Sequence, residues 1–278
     1  MRYLILALLL VGISVQPSFA KGKKVTKIVL DAGHGGRDGG ARGQFSNEKD
    51  LTLAVSLRVG KMIQDSLQDV QVVYTRTSDV YPTLPERHEI ANRSDADLFI
   101  SIHVNATAGR TERYQAGTRR VKKGKKYTTV PVYRTVHHRE TSTSGTETYV
   151  LGLHRNSQKE GAISEFGDNV TEEQGMLNMN DPQTSIIISQ YSQAFLGRSV
   201  TLAAKIQEQF ALQGRVDLGV KQKGLEVLAG SAMPGVLVEI GFINNPSEEA
   251  YLNSESGQHA VALAIFRGIQ AYKWDAER

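Results

Sequence analysis

The chain has 278 residues and a formal net charge of +4, and it contains no cysteine. This length can bury one substantial hydrophobic core without disulfides, so it does not require a second domain. The absence of cysteine excludes disulfide bonds, cysteine nucleophiles and thiolate zinc sites, which leaves histidine and carboxylate side chains as the ligands for any metal.

The first 20 residues have the features of a secretory signal peptide. Arg2 precedes an apolar run at 4–13, and Ser18 and Ala20 place small residues at the positions that a signal peptidase reads. The run is short for a membrane-spanning helix and is followed by lysines, so a membrane anchor is the less favoured alternative. We therefore expect a mature chain, residues 21–278, that is exported to the periplasm or cell envelope without a stable membrane anchor.

The mature chain alternates between strand-like and helix-like segments. Short apolar runs end in polar or glycine-rich loops, whereas longer segments repeat apolar residues every three to four positions. This alternation predicts one α/β domain with a mostly parallel sheet covered on both faces by helices. Strands are predicted at 27–30, 71–75, 98–104, 148–151 and 236–240, and helices at 48–67, 86–93, 185–213 and 257–272.

Two charged segments do not fit a compact α/β plan and are predicted to be insertions. In the basic insertion, about 106–145, ten Lys or Arg residues lie between 109 and 140 and three tyrosines are interleaved. A flexible solvated loop is the favoured interpretation, followed by contact with an anionic envelope polymer or partner and last by nucleic-acid binding. In the acidic insertion, about 156–184, six acidic residues accompany a single lysine.

Four residues suited to metal or acid–base chemistry are predicted to meet at one edge of the sheet. His34 and His103 lie at the carboxyl ends of apolar strands, where open α/β sheets usually bind ligands. Glu48 begins the next helix, and Glu239 lies inside an apolar strand, where burial raises the pKa of a carboxylate and suits it to acid–base catalysis. Each residue alone also fits a structural role, but together they favour a hydrolytic metal site.

Neighbouring polar residues are predicted to support this site. Asp31 and Asn105 flank the two histidines in sequence. Ligating histidines usually donate their second ring nitrogen to an oxygen, so both residues are candidate hydrogen-bond partners. Arg87 is interpreted as a structural ion-pairing residue.

The ordered motifs of the chain resemble one enzyme family. Residues 29–40, VLDAGHGGRDGG, and 48–51, EKDL, are similar to the opening motif of the zinc-dependent N-acetylmuramoyl-L-alanine amidases. Residues 96–105, ADLFISIHVN, resemble the second histidine motif of that family, and 238–242, VEIGF, resemble its terminal block. The resemblance covers nearly all of the mature chain except the two insertions.

This resemblance implies a mixed sheet of six strands with surrounding helices and a single zinc ion. By motif position, His34, Glu48 and His103 would be the zinc ligands, and Glu239 would be the catalytic acid/base. The implied reaction is hydrolysis of the amide bond between the lactyl group of N-acetylmuramic acid and L-alanine of the peptidoglycan stem peptide. Such a reaction serves cell-wall remodelling and daughter-cell separation.

The acidic insertion lies where related division amidases carry a helix that covers the zinc cleft until an activator protein removes it. The resemblance therefore implies autoinhibition, with peptidoglycan as substrate and an activator protein as partner. A solvated acidic surface is the alternative. The carboxylates that would approach the zinc are Glu160, Glu165, Glu172 and Glu173.

Two other functions remain open at this point. The first is an exported zinc metallopeptidase that acts on stem peptides or proteins. The second is a non-catalytic wall-binding protein on the same scaffold, and the presence of all four chemical residues argues against it. Nucleic acid is not an expected partner of an exported protein of this kind.

Overall fold

The computed structural model describes residues 24–166 and 183–278, and every statement about structure refers to these ranges. The predicted signal peptide and part of the acidic insertion lie outside them. Within the described ranges, every helix is too short or too polar to serve as a membrane span.

A mixed sheet of six strands forms the centre of the molecule, in the order β2-β1-β3-β8-β6-β7. All neighbouring pairs are parallel except β6 and β8, which are antiparallel. This architecture confirms the predicted α/β class and the mostly parallel six-stranded sheet. The strands are β1 (Lys27–Ala32), β2 (Gln71–Tyr74), β3 (Leu98–Asn105), β4 (Arg110–Lys123), β5 (Lys126–His138), β6 (Thr146–Leu151), β7 (Asp217–Lys223) and β8 (Gly235–Phe242).

Helices cover the sheet and bury their apolar faces against it. On the first helix, Leu51, Val55, Val59 and Ile63 recur at helical spacing and are almost completely buried, as their periodicity predicts. Burying each such side chain contributes about 1.5–3 kcal/mol. The helices are α1 (Glu48–Ser66), α2 (Leu84–Arg93), α3 (Asn156–Glu165), α4 (Thr184–Leu212), α5 (Glu226–Ala229), α6 (Pro246–Asn253) and α7 (Glu255–Ala276).

Two features of the fold differ from the sequence-based expectations. The edge strand β7 was not predicted, because its sequence, DLGVKQK, is mostly polar and none of its residues is fully buried. The basic insertion is not a flexible loop but a hairpin in which β4 and β5 pair antiparallel. Residues 127–136, YTTVPVYRTV, are rich in β-branched and aromatic side chains, which favour strands. The many charges of the segment obscured this signal.

Candidate metal centre and active site

Three of the predicted site residues meet at the carboxyl edge of the sheet. His34, Glu48 and His103 each offer one ligand atom, and these atoms lie within 4.8 Å of one another. The Nε2 atom of His34 is 3.1 Å from one oxygen of Glu48, and the Nδ1 atom of His103 is 2.9 Å from the other. Two imidazoles and one carboxylate form a donor set that zinc commonly takes with a water as fourth ligand, so these residues fit the metal that the sequence implies.

The loop after β1 adopts a strained backbone to bring His34 into position. His34 has a φ of 61°, in the left-handed region that residues other than glycine rarely adopt. Gly33 and Gly40 let the loop pass close to the other site residues. A Cβ atom at Gly33 would lie 2.5 Å from the His103 ring, and one at Gly40 would lie 2.6 Å from the Glu48 carboxylate.

Glu48 is held in place by backbone groups as well as by the two histidines. It begins α1 and is almost completely buried. The backbone N–H groups of Val104 and Ala41 donate to its two oxygens at 3.0 and 2.7 Å. Burial alone would raise the pKa of Glu48, but hydrogen bonds to and the charges of His103 and His34 hold it well below its usual range. Glu48 is therefore a fixed anion facing both rings.

Asp38 is the hydrogen-bond partner of His34, a role that the sequence analysis missed. The Nδ1 atom of His34 lies 2.8 Å from a carboxylate oxygen of Asp38. Burial lowers the pKa of His34, but contacts with Glu48 and Asp38 more than offset this effect and raise the pKa to about 9. The four-residue spacing within a glycine-rich turn was the available sequence signal. A carboxylate on the second ring nitrogen is the arrangement that orients ligating histidines.

Asp31, proposed from sequence as such a partner, instead belongs to a buried polar cluster beneath the loop. It is fully buried and accepts hydrogen bonds from Thr75 at 2.7 Å, Ser101 at 2.6 Å and Arg87 at 2.5 Å. The guanidinium of Arg87 also donates to the carbonyl oxygen of His34 at 2.7 Å. Arg87 therefore has the structural ion-pairing contact that was predicted, and it ties α2 to the loop that carries His34.

Glu239 lies next to the three clustered residues on a central strand. Its Cα atom pairs with that of His103 across β8 and β3. Its Oε2 atom is buried and has no hydrogen-bond partner among the described residues. Burial raises the pKa of Glu239, the charges of Glu48 and Glu147 raise it further, and the charge of His103 partly opposes them, which gives a pKa of about 7. A carboxyl group with this pKa can both accept and donate a proton near neutral pH.

Glu147 is a second buried carboxylate that the sequence analysis missed. Its position on β6 is directly opposite Glu239 on β8. It accepts hydrogen bonds from Asn105 at 2.5 Å and from the hydroxyl group of Tyr149 at 2.7 Å, and it forms an ion pair with Lys221. Asn105 therefore contacts this carboxylate and not a histidine, contrary to its predicted role. Its neighbours Thr146 and Thr148 are polar and the predicted strand began only at 148, so no sequence signal marked Glu147.

A cleft of about 530 Å³ gives access to these groups. Its walls include His34, Glu48, His103 and Glu239, with Asn105 at the end of β3. The three candidate ligands and the buried carboxyl group thus share one solvent-connected space. This volume is within the range of small-molecule sites.

The proposed autoinhibitory carboxylates are only partly within the described ranges. Glu160 and Glu165 lie on α3, and neither is among the described residues that line the cleft. Glu172 and Glu173 lie outside the described residues. Autoinhibition by the acidic insertion therefore stays a prediction.

Comparison with known proteins gives one consistent family. A family model described as N-acetylmuramoyl-L-alanine amidase matches residues 28–271. The N-acetylmuramoyl-L-alanine amidase AmiC of Escherichia coli O6:H1 is 31% identical over 258 residues, which cover 92% of this chain and 55% of AmiC. The protein YqiI of Bacillus subtilis is 32% identical over 247 residues, which cover 88% of this chain and 84% of YqiI. The crystal structure of an N-acetylmuramoyl-L-alanine amidase from Clostridium difficile 630 superposes with a TM-score of 0.58 at 26% identity, covering 90% of this chain and 97% of that chain.

Proposed function

The chain belongs to the N-acetylmuramoyl-L-alanine amidase family of hydrolases, and from this premise we propose that it is a zinc-dependent peptidoglycan amidase. It hydrolyses the amide bond between the lactyl group of N-acetylmuramic acid and L-alanine of the stem peptide. One observation carries the proposal: His34, Glu48 and His103 cluster in the same cleft as a carboxyl oxygen of Glu239 that has no hydrogen-bond partner within 24–166 and 183–278. The match spans only 55% of the length of AmiC, so the likeness to AmiC does not by itself assign an activity to this protein. The activity is therefore part of the proposal.

The side chains divide the work of an amide hydrolysis. His34, Glu48 and His103 would hold a zinc ion, which would supply Lewis-acid polarisation of the scissile carbonyl group and of the attacking water. Glu239, with a pKa of about 7, accepts a proton from the attacking water at its Oε2 atom, which has no hydrogen-bond partner in the described part of the chain, and donates it to the leaving amine of L-alanine. Asp38 orients the His34 ring, and the backbone donors to Glu48 fix its carboxylate.

We also propose that the protein acts in the cell envelope, in wall remodelling and daughter-cell separation. The signal-like sequence of residues 1–20 supports export to the periplasm or cell envelope. The density of carboxylates in the acidic insertion supports autoinhibition of the cleft, relieved by an activator protein. The resting chain would then bind zinc but cleave slowly until the insertion is displaced.

Replacing Glu239 by Gln tests the assignment of the proton-transfer group. The variant is expected to bind one zinc ion as the unmodified chain does and to lose hydrolysis of purified sacculi by about 100-fold or more, since general acid–base catalysis contributes this much. Glu208→Gln, on the exposed side of α4, is the matched control and should retain full activity. Metal content is measured by mass spectrometry and cleavage by release of dye-labelled fragments. Wild-type rates for Glu239→Gln would overturn the assignment.

Product analysis separates the amidase from the two alternatives. An amidase releases intact stem peptides that begin with a free L-alanine amine, whereas a metallopeptidase releases fragments cut within the peptide. A non-catalytic wall-binding protein would bind zinc and sacculi and release neither product. The proposal requires the first result.

A further inference from the structure

The basic hairpin is an exposed arm that the amidase chemistry does not use. The arm consists of β4 (Arg110–Lys123) and β5 (Lys126–His138) and the turn between them. Every residue of the two strands is exposed except Val121, Val130 and Val132, which are half-buried. Strands of this length extend about 45 Å. The arm is therefore a long, solvent-exposed surface that is available to a binding partner.

The base of the arm is fixed beside the active site. β3, which carries His103, ends five residues before the arm begins. The side-chain amide of Asn244 donates to the carbonyl oxygens of Thr107 at 2.9 Å and Arg139 at 2.8 Å. It therefore links the segment that enters the arm to the segment that leaves it. Asn244 lies two residues beyond β8, the strand that carries Glu239. These contacts place the root of the arm at the carboxyl edge where the cleft opens.

The arm concentrates the positive charge of the protein. Between 110 and 139 there are ten basic residues and only one acidic residue, whereas the whole chain has 33 basic and 29 acidic residues. The rest of the chain is therefore net acidic, and the basic pI arises from this segment. Six of the cations lie at the tip without an acidic neighbour: Arg119, Arg120, Lys122, Lys123, Lys125 and Lys126. Their spacing along two paired strands favours a partner with several anionic groups.

One face of the arm combines two of these cations, Arg120 and Lys122, with exposed aromatic rings. Residues paired directly across the hairpin share a face, which places Lys122 and Arg120 beside Tyr127. The Arg120 guanidinium lies 5.2 Å from the centre of the Tyr127 ring, and that of Arg113 lies 4.5 Å from the centre of the Tyr133 ring. Guanidinium groups held in this way present planar hydrogen-bond donors that match carboxylates.

We propose that this arm binds the anionic glycan–peptide polymer itself, at the free carboxylates of repeat units next to the one in the cleft. The inference rests on the proposed function, because that function makes the ligand of the cleft a branch of a long polymer with a carboxylate-bearing peptide on each repeat. The arm starts at the cleft and extends beyond it, so it contacts repeats that the cleft cannot hold. Attachment of one polymer strand to both the arm and the cleft is multivalent, so it raises the effective concentration of scissile amide bonds at the cleft.

The test compares a tip variant with a charge-matched control. The tip variant carries Lys122→Gln, Lys123→Gln and Lys126→Gln, and the control carries Lys61→Gln, Arg93→Gln and Arg267→Gln on exposed helix surfaces. Both are made in the Glu239→Gln background, so that binding to sacculi is measured by sedimentation without turnover. We expect about a tenfold weaker association for the tip variant at low salt and little change for the control. Equal binding by the two variants would overturn the proposal.

Three further measurements identify the ligand. Amidation of the carboxylates of the sacculi should abolish the difference between the two variants, and raising the salt concentration should reduce it. Anionic phospholipid vesicles and single-stranded DNA are the competing ligands. If the tip variant loses binding to either of these but keeps its binding to sacculi, the arm serves a membrane or a nucleic acid, and the proposal is wrong.

Turnover separates this proposal from the proposed function. With Glu239 intact, the tip variant should cleave a soluble monomeric muramoyl-peptide with unchanged kcat/KM and cleave sacculi with a raised KM. If neither the full chain nor the variant in which residues 167–182 are replaced by a linker cleaves the monomer, the amidase function fails, while the sedimentation result still decides whether the arm binds the polymer.

Discussion

Removing the guanidinium group of Arg87 should destabilise the fold through Asp31, its buried ion-pair partner. Arg87→Met keeps most of the side-chain volume but leaves a fully buried carboxylate without a cation. Loss of one partner of a buried ion pair generally costs about 3–5 kcal/mol. Asp31 keeps its hydrogen bonds from Thr75 and Ser101, so we expect a loss near the lower end, about 3 kcal/mol in the free energy of unfolding.

The sign of the pH dependence provides an internal check. Burial raises the pKa of Asp31, but the charge of Arg87 and hydrogen bonds from Ser101 and Thr75 outweigh it, and the pKa is lowered. Without Arg87 the effect of burial dominates, and the folded-state pKa moves above the unfolded value of about 3.9. The folded variant then takes up a proton as the pH falls, so its deficit in stability should be smaller at pH 5 than at pH 7.5.

Urea unfolding followed by far-ultraviolet circular dichroism at the two pH values measures both effects. Arg93→Met is the matched control on the same helix, because Arg93 forms only an exposed pair with Glu89 and should change stability by at most about 0.5 kcal/mol. Combining Arg87→Met with Asp31→Asn should destabilise less than the sum of the two single changes, since no buried charge is then left unpaired. A loss below about 1 kcal/mol for Arg87→Met, or strict additivity, would refute this reasoning.

Two further predictions concern a buried cation and the acidic insertion. Lys159 is buried and donates to the carbonyl oxygens of Leu228 and Met233. Burial lowers the pKa of Lys159 to about 7. The destabilisation caused by burying the charged ammonium group is therefore full below pH 7, and it decreases as the pH rises towards the unfolded-state pKa of about 10.4. Urea unfolding at pH 7, 8 and 9 should show the wild type gaining stability relative to Lys159→Met by at most about 1.4 kcal/mol per pH unit, and a flat difference would contradict it. Replacing residues 167–182 by a short Gly-Ser linker should raise basal cleavage of sacculi by zinc-loaded protein, whereas an unchanged or lower rate in a folded variant would exclude autoinhibition by that segment.

The sequence predicted the elements whose physical signal is local. The apolar strands, the periodic face of α1 and the helix of 86–93 were found because burial fixes their hydrophobic pattern, and the structure places them within a few residues of the expected bounds. Family motifs then identified His34, Glu48, His103 and Glu239, which the structure brings into one cleft. His34, His103 and Glu239 follow or lie within such strands, so the edge of the sheet at which they meet could be inferred from the strands, whereas Glu48 begins a helix and was placed there by its motif.

The missed features depend on contacts between distant parts of the chain. Neither the charge of Glu147 nor its neighbours in sequence indicate a role in the site. Its position opposite Glu239 follows only from the antiparallel pairing of β6 with β8. Asp31 precedes His34 by three residues, which made it a candidate hydrogen-bond partner of the histidine. Only the structure shows that Arg87 on α2 donates to the Asp31 carboxylate instead. The arm was missed for a different reason, because a hairpin without a buried face lacks the apolar alternation by which strands are recognised.

The pairing of β3 with β8 has a consequence for control of the enzyme. His103 and Glu239 occupy matched positions on adjacent strands in the middle of the sheet, so their separation is fixed by the backbone ladder and not by a mobile loop. This part of the proposed catalytic geometry is therefore built into the sheet. The autoinhibition proposed above would then act at the mouth of the cleft, where a segment or a bound polymer can be exchanged without a change in the sheet.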